Sequence, residues 1–207
     1  MNETSKALIR RLQDTRYAST YFKGDGIDIG AGDDPISKYS QQFPLMTSVK
    51  IWDVPDGDAQ IMAGVADNTF DFVHSSHCLE HMRDSHEAFN NWLRICKPGG
   101  HLIITIPDED IYEQGVWPST HNPDHKMTWT ILKEESWSPV SINLLEFLHY
   151  YRNKIEVLKI ELINGAFIYG VRRYDQTYHG ISECAIEFIV RKRPAEELMR
   201  KGRLPAT

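Results

Sequence analysis

Short apolar runs bounded by glycine, proline and polar residues recur along the chain and predict buried strands. Within each run the apolar side chains are continuous or occupy every second position, as in the interior of a sheet. The runs are Gly26–Ile29, Ser48–Asp53, Phe70–Ser76, His101–Ile106, Ile155–Ile163 and Glu183–Val190. The chain therefore predicts a sheet whose strands are separated by helices or loops.

Apolar residues at helical spacing predict helices in other parts of the chain. The clearest helix is residues 84–96, where Asp84 can cap the first turn and Glu87 can bond back to it. Its apolar stripe consists of Ala88, Phe89, Trp92, Leu93 and Cys96. Helices are also predicted at residues 4–22 and 141–151, and after Pro194. We expect the first of these to pad the sheet; the alternative is that it covers a cofactor.

A long stretch without regular periodicity follows the predicted strand His101–Ile106. It runs from Pro107 to Lys126 and is rich in prolines and polar residues. Loops of this length in a compact domain are usually functional or disordered. The aromatic residues Tyr112 and Trp117 argue against disorder, so we expect this segment to contribute to a functional site.

Composition narrows the class of protein. The 207 residues suit a single domain, and 41% hydrophobic with 25% charged residues is ordinary for a soluble protein. No apolar run is long enough for a membrane span, and the N-terminus lacks the apolar core of a secretion signal. We therefore expect no membrane partner and a cytoplasmic location. The three cysteines, Cys78, Cys96 and Cys184, are predicted to be reduced and mostly buried.

The charge balance bears on the partners of the protein. A net charge of −6 argues mildly against a nucleic-acid partner, which usually requires a basic face. The basic clusters Arg10–Arg11, Arg172–Arg173 and Arg191–Arg193 are short and scattered, and we expect solvated surface charge there. The alternative is that a few of these arginines hold an anionic acceptor.

The strand Gly26–Ile29 continues into a glycine-rich turn that is typical of nucleotide-like cofactor sites. Gly30 and Gly32 permit a tight bend and a close approach of a ligand. A dinucleotide fingerprint places a third glycine where this chain has Pro35. The preceding carboxylates, Asp33 and Asp34, would repel a pyrophosphate. S-adenosylmethionine (SAM), which carries a cationic centre and an ammonium group, suits this loop better.

Further segments, in the same order and spacing, resemble class I SAM-dependent methyltransferases of the small, type 11-like group. The matching segments are Gly26–Gly32, the acids Asp53 and Asp58, Phe70–Val73 with Leu79–His81, and Lys97–Gly100, and the resemblance covers residues 24–110. It implies a single α/β domain with a Rossmann-like, doubly wound, mostly parallel sheet, closed at one edge by an antiparallel hairpin. One departure is the segment Ile36–Met46, which leaves room only for a short or irregular helix.

The resemblance also implies a set of cofactor-binding residues. Asp28 would place the methionine ammonium, Asp53 the ribose hydroxyls, and Asp58 with Ala59 the adenine edge. Structural roles in turns or at the surface are the alternatives for these three acids. The implied set is Asp28, Gly30, Ala31, Gly32, Asp53, Val54, Asp58, Ala59, Ser75 and Ser76.

Methyl transfer needs alignment of the acceptor and, where the acceptor loses a proton, a general base. The candidate bases are His125, His81 and His77, with a slight preference for His125 because Asp124 can orient its imidazole. We expect no metal. The alternative is a metal cluster of His121, Asp124 and His125 with Asp108 or Asp110, although this spacing is not a recognised ligand pattern.

The predicted protein is thus one methyltransferase domain, residues 1–207. It comprises an N-terminal helix (1–23), a cofactor-binding core (24–110), an acceptor-side loop and helix (108–152) and C-terminal strands (153–193). We expect methyl transfer from SAM to a small polar acceptor such as a sugar, nucleotide-sugar or phosphorylated precursor of a surface polysaccharide. The product is S-adenosylhomocysteine (SAH), and a homodimer is one possibility. The alternatives are a non-catalytic SAM- or SAH-binding protein and a nicotinamide-dependent enzyme on a similar fold.

Overall fold

A computed structural model describes residues 3–204, which form a six-stranded sheet and a two-stranded sheet. The strands are β1 (Gly24–Ile29), β2 (Met46–Trp52), β3 (Phe70–Ser76), β4 (Cys96–Pro107), β5 (Thr128–Thr130), β6 (Ser141–Asn143), β7 (Ile155–Ile163) and β8 (Ala185–Lys192). The predicted domain limits at residues 1 and 207 lie outside the described residues.

The large sheet has the order β2-β1-β3-β4-β8-β7. The four strands from β2 to β4 are parallel, whereas β8 is antiparallel to both β4 and β7. The carboxyl ends of β1 and β3 therefore meet at one edge, where ligands bind in open α/β sheets. This architecture confirms the predicted fold class, including the antiparallel pair at the edge.

Helices lie between and beside these strands. They are α1 (Glu3–Gln13), α2 (Ser85–Ile95), α3 (Leu144–Tyr150) and α4 (Ala195–Arg200). A π-helical turn, Tyr17–Tyr21, follows α1, and the segment after the glycine turn is a 3₁₀ helix, Ile36–Gln42. The expectation of a short or irregular helix at that position is therefore confirmed. The predicted helix at 141–151 is only partly helical, because its first three residues form β6.

The predicted cap of α2 is half right. The Asp84 carboxylate accepts hydrogen bonds from the backbone N–H groups of His86 and Glu87. The reciprocal bond from Glu87 is absent, because the Gln60 amide oxygen accepts from the Asp84 N–H at 3.1 Å. The Glu87 carboxylate instead accepts from the Gln60 amide. The side chain of Gln60 thus accepts the hydrogen bond from the Asp84 N–H that the capping-box pattern assigns to Glu87.

Apolar side chains pack on both faces of the sheet because successive strand residues point in opposite directions. On one face, α2 and α3 cover Leu102, Ile104 and Phe188. On the other face, the segment that follows α1 packs on Ile103 and Ile189. The sheet is therefore buried on both sides. The three cysteines of the chain are free and buried, as predicted. Among residues 3–204 no helix is both long and apolar enough to cross a bilayer.

A buried ion pair fastens α1 to this second face. The Arg11 side chain is fully buried, and its Nε donates to Glu187 Oε2 of β8 at 3.0 Å. Glu187 is also fully buried and accepts from Arg10, at 2.6 Å, and from Tyr17. These cations hold the pKa of the Glu187 carboxyl far below its usual range, although burial alone would raise it. The prediction that Arg10–Arg11 is solvated surface charge is therefore wrong.

The same guanidinium continues the hydrogen bonds toward the glycine turn. Arg11 Nη1 lies 3.0 Å from Nε2 of His74 on β3, and His74 Nδ1 lies 2.7 Å from Asp28 Oδ1 on β1. Because a guanidinium has only donors, Nε2 must accept and Nδ1 must carry the hydrogen that Asp28 accepts. Asp28 Oδ2 in turn accepts from the Ile36 N–H at 2.7 Å. One connected network thus links α1, three strands and the segment behind the glycine turn.

We expect Glu187→Gln to reduce the free energy of unfolding by about 3–5 kcal/mol, because it leaves the buried Arg11 guanidinium without its anion. Urea unfolding followed by circular dichroism measures this loss. The matched control is Glu161→Gln, whose side chain is 39% exposed and pairs with Lys159, with an expected loss of about 0–1 kcal/mol. Equal losses in the two variants would contradict the role of the buried pair.

Candidate active site

Two adjoining cavities lie at the carboxyl ends of β1 and β3 and share Gly30, His77 and His81. The first cavity, of about 310 Å³, is lined by Glu3, Thr4, Asp28, Gly30, Ala31, Gly32, Asp33, Asp34, Ser76, His77, His81, Tyr112, Asn122 and His125. The second cavity, of about 510 Å³, is lined by Gly30, Asp53, Val54, Gly57, Asp58, Ala59, His77, Cys78, His81, Met82 and Asp124. Together they form one cleft that contains most of the predicted site residues.

The glycine turn contributes Gly30 to the lining of both cavities. Gly30 has φ +70°, and a Cβ atom there would lie 2.6 Å from Cys78 Sγ. The turn is held by two hydrogen bonds: Gly30 N–H donates to Trp52 O, and Gly32 N–H donates to Asp53 Oδ2, both at 2.9 Å. Glycine is required at position 30 both for the left-handed backbone and for the contact with Cys78.

Predicted cofactor residues Asp53, Val54, Asp58 and Ala59 all line the second cavity. Asp53 also has a structural role, since its carboxylate accepts from the N–H groups of Gly32 and Val54. Asp58 accepts from the Gln60 N–H and pairs with Arg83 at 2.7 Å. The structure therefore brings these acids to the cleft, and it gives each of them a turn-stabilising contact as well.

Asp28 lines the first cavity, but His74 and the Ile36 N–H already occupy its two oxygens. A second carboxylate faces this space from α1. Glu3 is 6% exposed, and its Oε2 has no hydrogen-bond partner among the described residues, while Lys6 pairs with Oε1. Burial raises the pKa of the Glu3 carboxyl to about 7. The expectation that the first helix only pads the sheet is thus wrong, since its first turn lines the cavity.

The two serines at the end of β3 lie in different places. Ser76 lines the first cavity. Ser75 is fully buried, donates its hydroxyl hydrogen to Ile29 O at 3.0 Å, and is not among the described residues that line either cavity. Ser75 therefore ties β3 to β1 inside the sheet and does not reach the cleft as predicted.

His77 lines both cavities with a left-handed backbone, φ +52°, which is uncommon for a residue other than glycine. Its backbone N–H donates to Thr105 O at 2.9 Å, which fixes this conformation. Burial lowers the pKa of His77 to about 3. The imidazole is therefore neutral at physiological pH, with Nε2 unpartnered among the described residues.

Each of the other two predicted histidines is oriented by a carboxylate. His81 Nδ1 lies 2.9 Å from Asp124 Oδ2, and His125 Nδ1 lies 2.7 Å from Glu113 Oε1. The expectation that Asp124 orients His125 is wrong, because Asp124 pairs with the other imidazole. The two rings are 4.9 Å apart between centroids. The Lys126 N–H donates to Glu80 O at 2.8 Å and brings the long loop to the turn that carries His81.

Both imidazoles direct their remaining nitrogen toward Glu80, a residue that the sequence analysis did not select. Glu80 is fully buried, and neither of its oxygens has a hydrogen-bond partner among the described residues. Its Oε1 lies 3.9 Å from His81 Nε2 and 3.8 Å from His125 Nε2. Burial raises the pKa of this carboxyl. Glu80, His81 and His125 each offer one ligand atom within 4.8 Å of the others, a set that can hold a metal ion.

The alternative metal cluster predicted from the sequence is not formed. Asp108 caps the π-helical turn Glu109–Glu113 by accepting from the N–H groups of Asp110 and Ile111. The Asp110 carboxylate accepts from the Trp137 indole at 3.0 Å. His121 packs against Tyr112, with ring centroids 5.9 Å apart. Of the predicted cluster, only His125 joins the group around Glu80.

The acceptor-side segment is held in place by a buried carboxylate. Glu109 is fully buried and accepts from Thr128, Lys133, Ser136 and Ser141 at 2.6–3.0 Å. These bonds lower the pKa of the Glu109 carboxyl, although burial opposes them. Glu109 thus joins the predicted irregular stretch to the segment that follows it, from Thr128 to Ser141.

A family model described as a methyltransferase domain matches residues 6–153, which is more than half of the chain. The chain belongs to this methyltransferase family. The resemblance noted in the sequence is therefore confirmed for the family. A stretch of 48 residues is also 38% identical to phosphoethanolamine N-methyltransferase 2 of Caenorhabditis elegans. That stretch covers 23% of this chain and spans only 11% of the length of the relative.

Solved methyltransferases share the fold. A SAM-dependent methyltransferase from Archaeoglobus fulgidus matches with a TM-score of 0.60 at 17% identity, over 93% of this chain and 95% of that one. The Haemonchus contortus phosphoethanolamine N-methyltransferase 2, solved in complex with SAM, matches with a TM-score of 0.54 at 14% identity, over 90% of this chain and 52% of that one. At these identities the likeness shows the fold.

Gly30→Ala tests the close approach in the glycine turn of this methyltransferase. We expect it to cost about 1–2 kcal/mol for the left-handed backbone and about 1–3 kcal/mol more for the clash with Cys78. The control is Gly99→Ala, which has φ +84° but no heavy atom within 4 Å of the added Cβ. Thermal unfolding compares the two variants. Equal destabilisation would show that contact with Cys78 has no part in the requirement for glycine.

Proposed function

We propose that this chain transfers a methyl group from SAM to a hydroxyl or amine of a small polar molecule bound in the first cavity. The observation that carries the proposal is the cleft at the carboxyl ends of β1 and β3, built on a glycine turn in a chain of a methyltransferase family. The segment 108–152 then supplies the acceptor side of this single domain. When bound, SAM supplies an electrophilic methyl group on a sulfonium.

The division of the cleft suggests how the cofactor is held. We assign the adenosine part to the second cavity, where Asp53 faces the ribose hydroxyls and Val54, Asp58 and Ala59 surround the adenine. Gly30, Ala31 and Gly32 allow close approach beside Ser76. Oε2 of Glu3, which has no hydrogen-bond partner in the part of the chain that the structure describes, suits the ammonium group better than the occupied oxygens of Asp28.

The charge of the first cavity bears on the acceptor. Among the described residues that line it there are four carboxylates and three imidazoles, but no lysine or arginine. A neutral or cationic acceptor fits this lining better than a strongly anionic one. A sugar hydroxyl or an amine satisfies this condition, whereas a phosphate group finds no arginine among the described residues of the lining. An unphosphorylated sugar fits this cavity better than a nucleotide-sugar or a phosphorylated precursor.

The acceptor-side histidines are proposed to contact the reacting group. His125 and His81 are each oriented by a carboxylate through one ring nitrogen. The second nitrogen of each ring is available to accept a proton or to bind another group. His77, with its pKa lowered to about 3, is a weak base and serves as a neutral hydrogen-bonding group. His125 is itself buried, so its imidazole is shielded from bulk water.

A nicotinamide-dependent enzyme is the less favoured alternative, because Asp33 and Asp34 face the space in which a pyrophosphate would lie. Calorimetric titration with SAM, SAH and NADH distinguishes the two cofactors. We expect micromolar binding of SAM and SAH and none of NADH. Asp53→Ala, which removes a charged hydrogen-bonding group, is expected to weaken SAH binding by roughly 10–100-fold.

Asp67→Ala is the control for this titration, since Asp67 pairs with Arg94 and lies outside the lining of both cavities. Binding of NADH in place of SAH would contradict the proposal. Transfer of a labelled methyl group to sugars or amines separates an enzyme from a protein that only binds SAM or SAH.

The pKa of Glu3 predicts a pH dependence for SAM binding. The carboxyl must be ionised to pair with an ammonium group, and its pKa is raised to about 7. Affinity should therefore fall as the pH is lowered from 7.5 to 6, a range in which the amino group of SAM stays mostly protonated. Glu3→Gln should bind more weakly and with a flatter pH profile. An unchanged profile in this variant would contradict the assignment.

A further inference from the structure

Three electron-pair donors meet at the acceptor end of the cleft. Oε1 of Glu80 lies 3.9 Å from Nε2 of His81 and 3.8 Å from Nε2 of His125. Both distances exceed the length of a hydrogen bond. Glu80 is nevertheless fully buried, with both oxygens unpartnered among the described residues. Because burying an uncompensated carboxylate is costly, a positive charge at this point would stabilise the arrangement.

The hydrogen bonds of the imidazoles define which nitrogen is available. Nδ1 of His81 faces the Asp124 carboxylate, and Nδ1 of His125 faces the Glu113 carboxylate. A carboxylate only accepts, so each Nδ1 carries a hydrogen, and the lone pair of the neutral tautomer is then on Nε2. Each Nε2 therefore lies close to the Glu80 oxygen, at a distance too long for a hydrogen bond between them.

Such an arrangement is typical of metal ligands. Protein-bound zinc lies about 2.0–2.2 Å from imidazole nitrogen and carboxylate oxygen, so the ligand atoms around it are separated by about 3.0–3.5 Å. The two distances from Glu80 Oε1, 3.8 and 3.9 Å, exceed these values by less than about 1 Å, and all three ligand atoms lie within 4.8 Å of one another. Ligand histidines usually donate their other N–H to a carboxylate, which fixes the ring and increases its basicity. Asp124 and Glu113 supply these second partners.

We propose that Glu80, His81 and His125 bind one divalent first-row transition-metal ion, with Zn²⁺ and Mn²⁺ as the leading candidates. Two nitrogen ligands favour such an ion over Mg²⁺ or Ca²⁺, which prefer oxygen. Three protein ligands leave an open coordination position, as in catalytic metal sites. His81 and His125 line the first cavity, so the open position faces the place assigned to the acceptor.

The role of the ion rests on the proposed function, whereas its binding does not. Bound next to the acceptor, the ion would polarise a hydroxyl and lower its pKa. It would also add positive charge to a cavity whose described lining residues include no lysine or arginine. This favours an oxygen acceptor over an amine, and it makes His81 and His125 ligands rather than proton acceptors.

Metal binding is tested on the full chain, purified, treated with chelator and titrated with ZnCl₂, MnCl₂ and MgCl₂. We expect one equivalent of Zn²⁺ or Mn²⁺ to bind by calorimetry, and Mg²⁺ to bind at least 100-fold more weakly. CoCl₂ should give a visible absorption band of a nitrogen- and oxygen-ligated ion. Glu80→Gln and His81→Gln should each weaken Zn²⁺ binding by 100-fold or more, and Asp124→Asn by roughly 10–100-fold.

The matched control is His121→Gln, since His121 belongs to the same loop but lies against Tyr112 rather than in the cluster. It should retain the Zn²⁺ affinity of the unaltered protein. His81 is partly exposed, so His81→Gln is expected to fold, and circular dichroism with thermal unfolding verifies that it does. Absence of stoichiometric Zn²⁺ or Mn²⁺ binding, or its persistence in His81→Gln, would overturn the proposal. SAH binding by the metal-free protein separates this result from a failure of the proposed function.

Discussion

The cleft depends on the buried ion pair between Arg11 and Glu187. Removing two charges from water is costly, and here the cost is offset because each nitrogen of the Arg11 guanidinium has a partner on the sheet: Glu187, His74 and Thr105. Arg11 holds α1 against β8 and β4. Arg11 also bonds to His74 of β3, which in turn bonds to Asp28, two residues before the glycine turn begins. The position of Glu3 in the first cavity follows from this anchorage, since Glu3 lies two helical turns before Arg11 on α1.

The site above this network is acidic and selects positive charge. Glu3 and Glu80 are buried carboxylates at different points of the cleft, each with an oxygen that has no hydrogen-bond partner within residues 3–204. We assign the first to the ammonium group of the cofactor and the second to the proposed metal ion. The histidines complete this arrangement, because Asp124 and Glu113 hold two of them in one tautomer, and the backbone of His77 is held in a left-handed conformation between the two cavities. The acceptor end is therefore a preorganised polar surface.

The sequence predicts the parts of this structure that are local. The apolar runs predicted the large-sheet strands, and Gly30 with Gly32 marked the turn, because strand burial and left-handed backbone each leave a signature in neighbouring residues. Partners distant in sequence were missed. The sequence alone assigns Arg11 to the surface, because no neighbouring residue indicates that it pairs with Glu187, 176 residues later. The sequence does not select Glu80 for the same reason, since Glu80 becomes a candidate ligand only next to His125, which lies in another loop. The sequence alone places both Ser75 and Ser76 in the cleft, because the alternation of β3 does not show which of the two side chains is buried inside the sheet.

A crystal structure of the protein with bound SAH tests the central claim, that α1 and the glycine turn form one cofactor cleft. The account predicts adenosine in the second cavity, with the ribose hydroxyls at Asp53, and the amino group of SAH within hydrogen-bonding distance of Glu3. SAH bound outside the cleft, or with its amino group at Asp58 and its adenine at Glu3, would contradict the account.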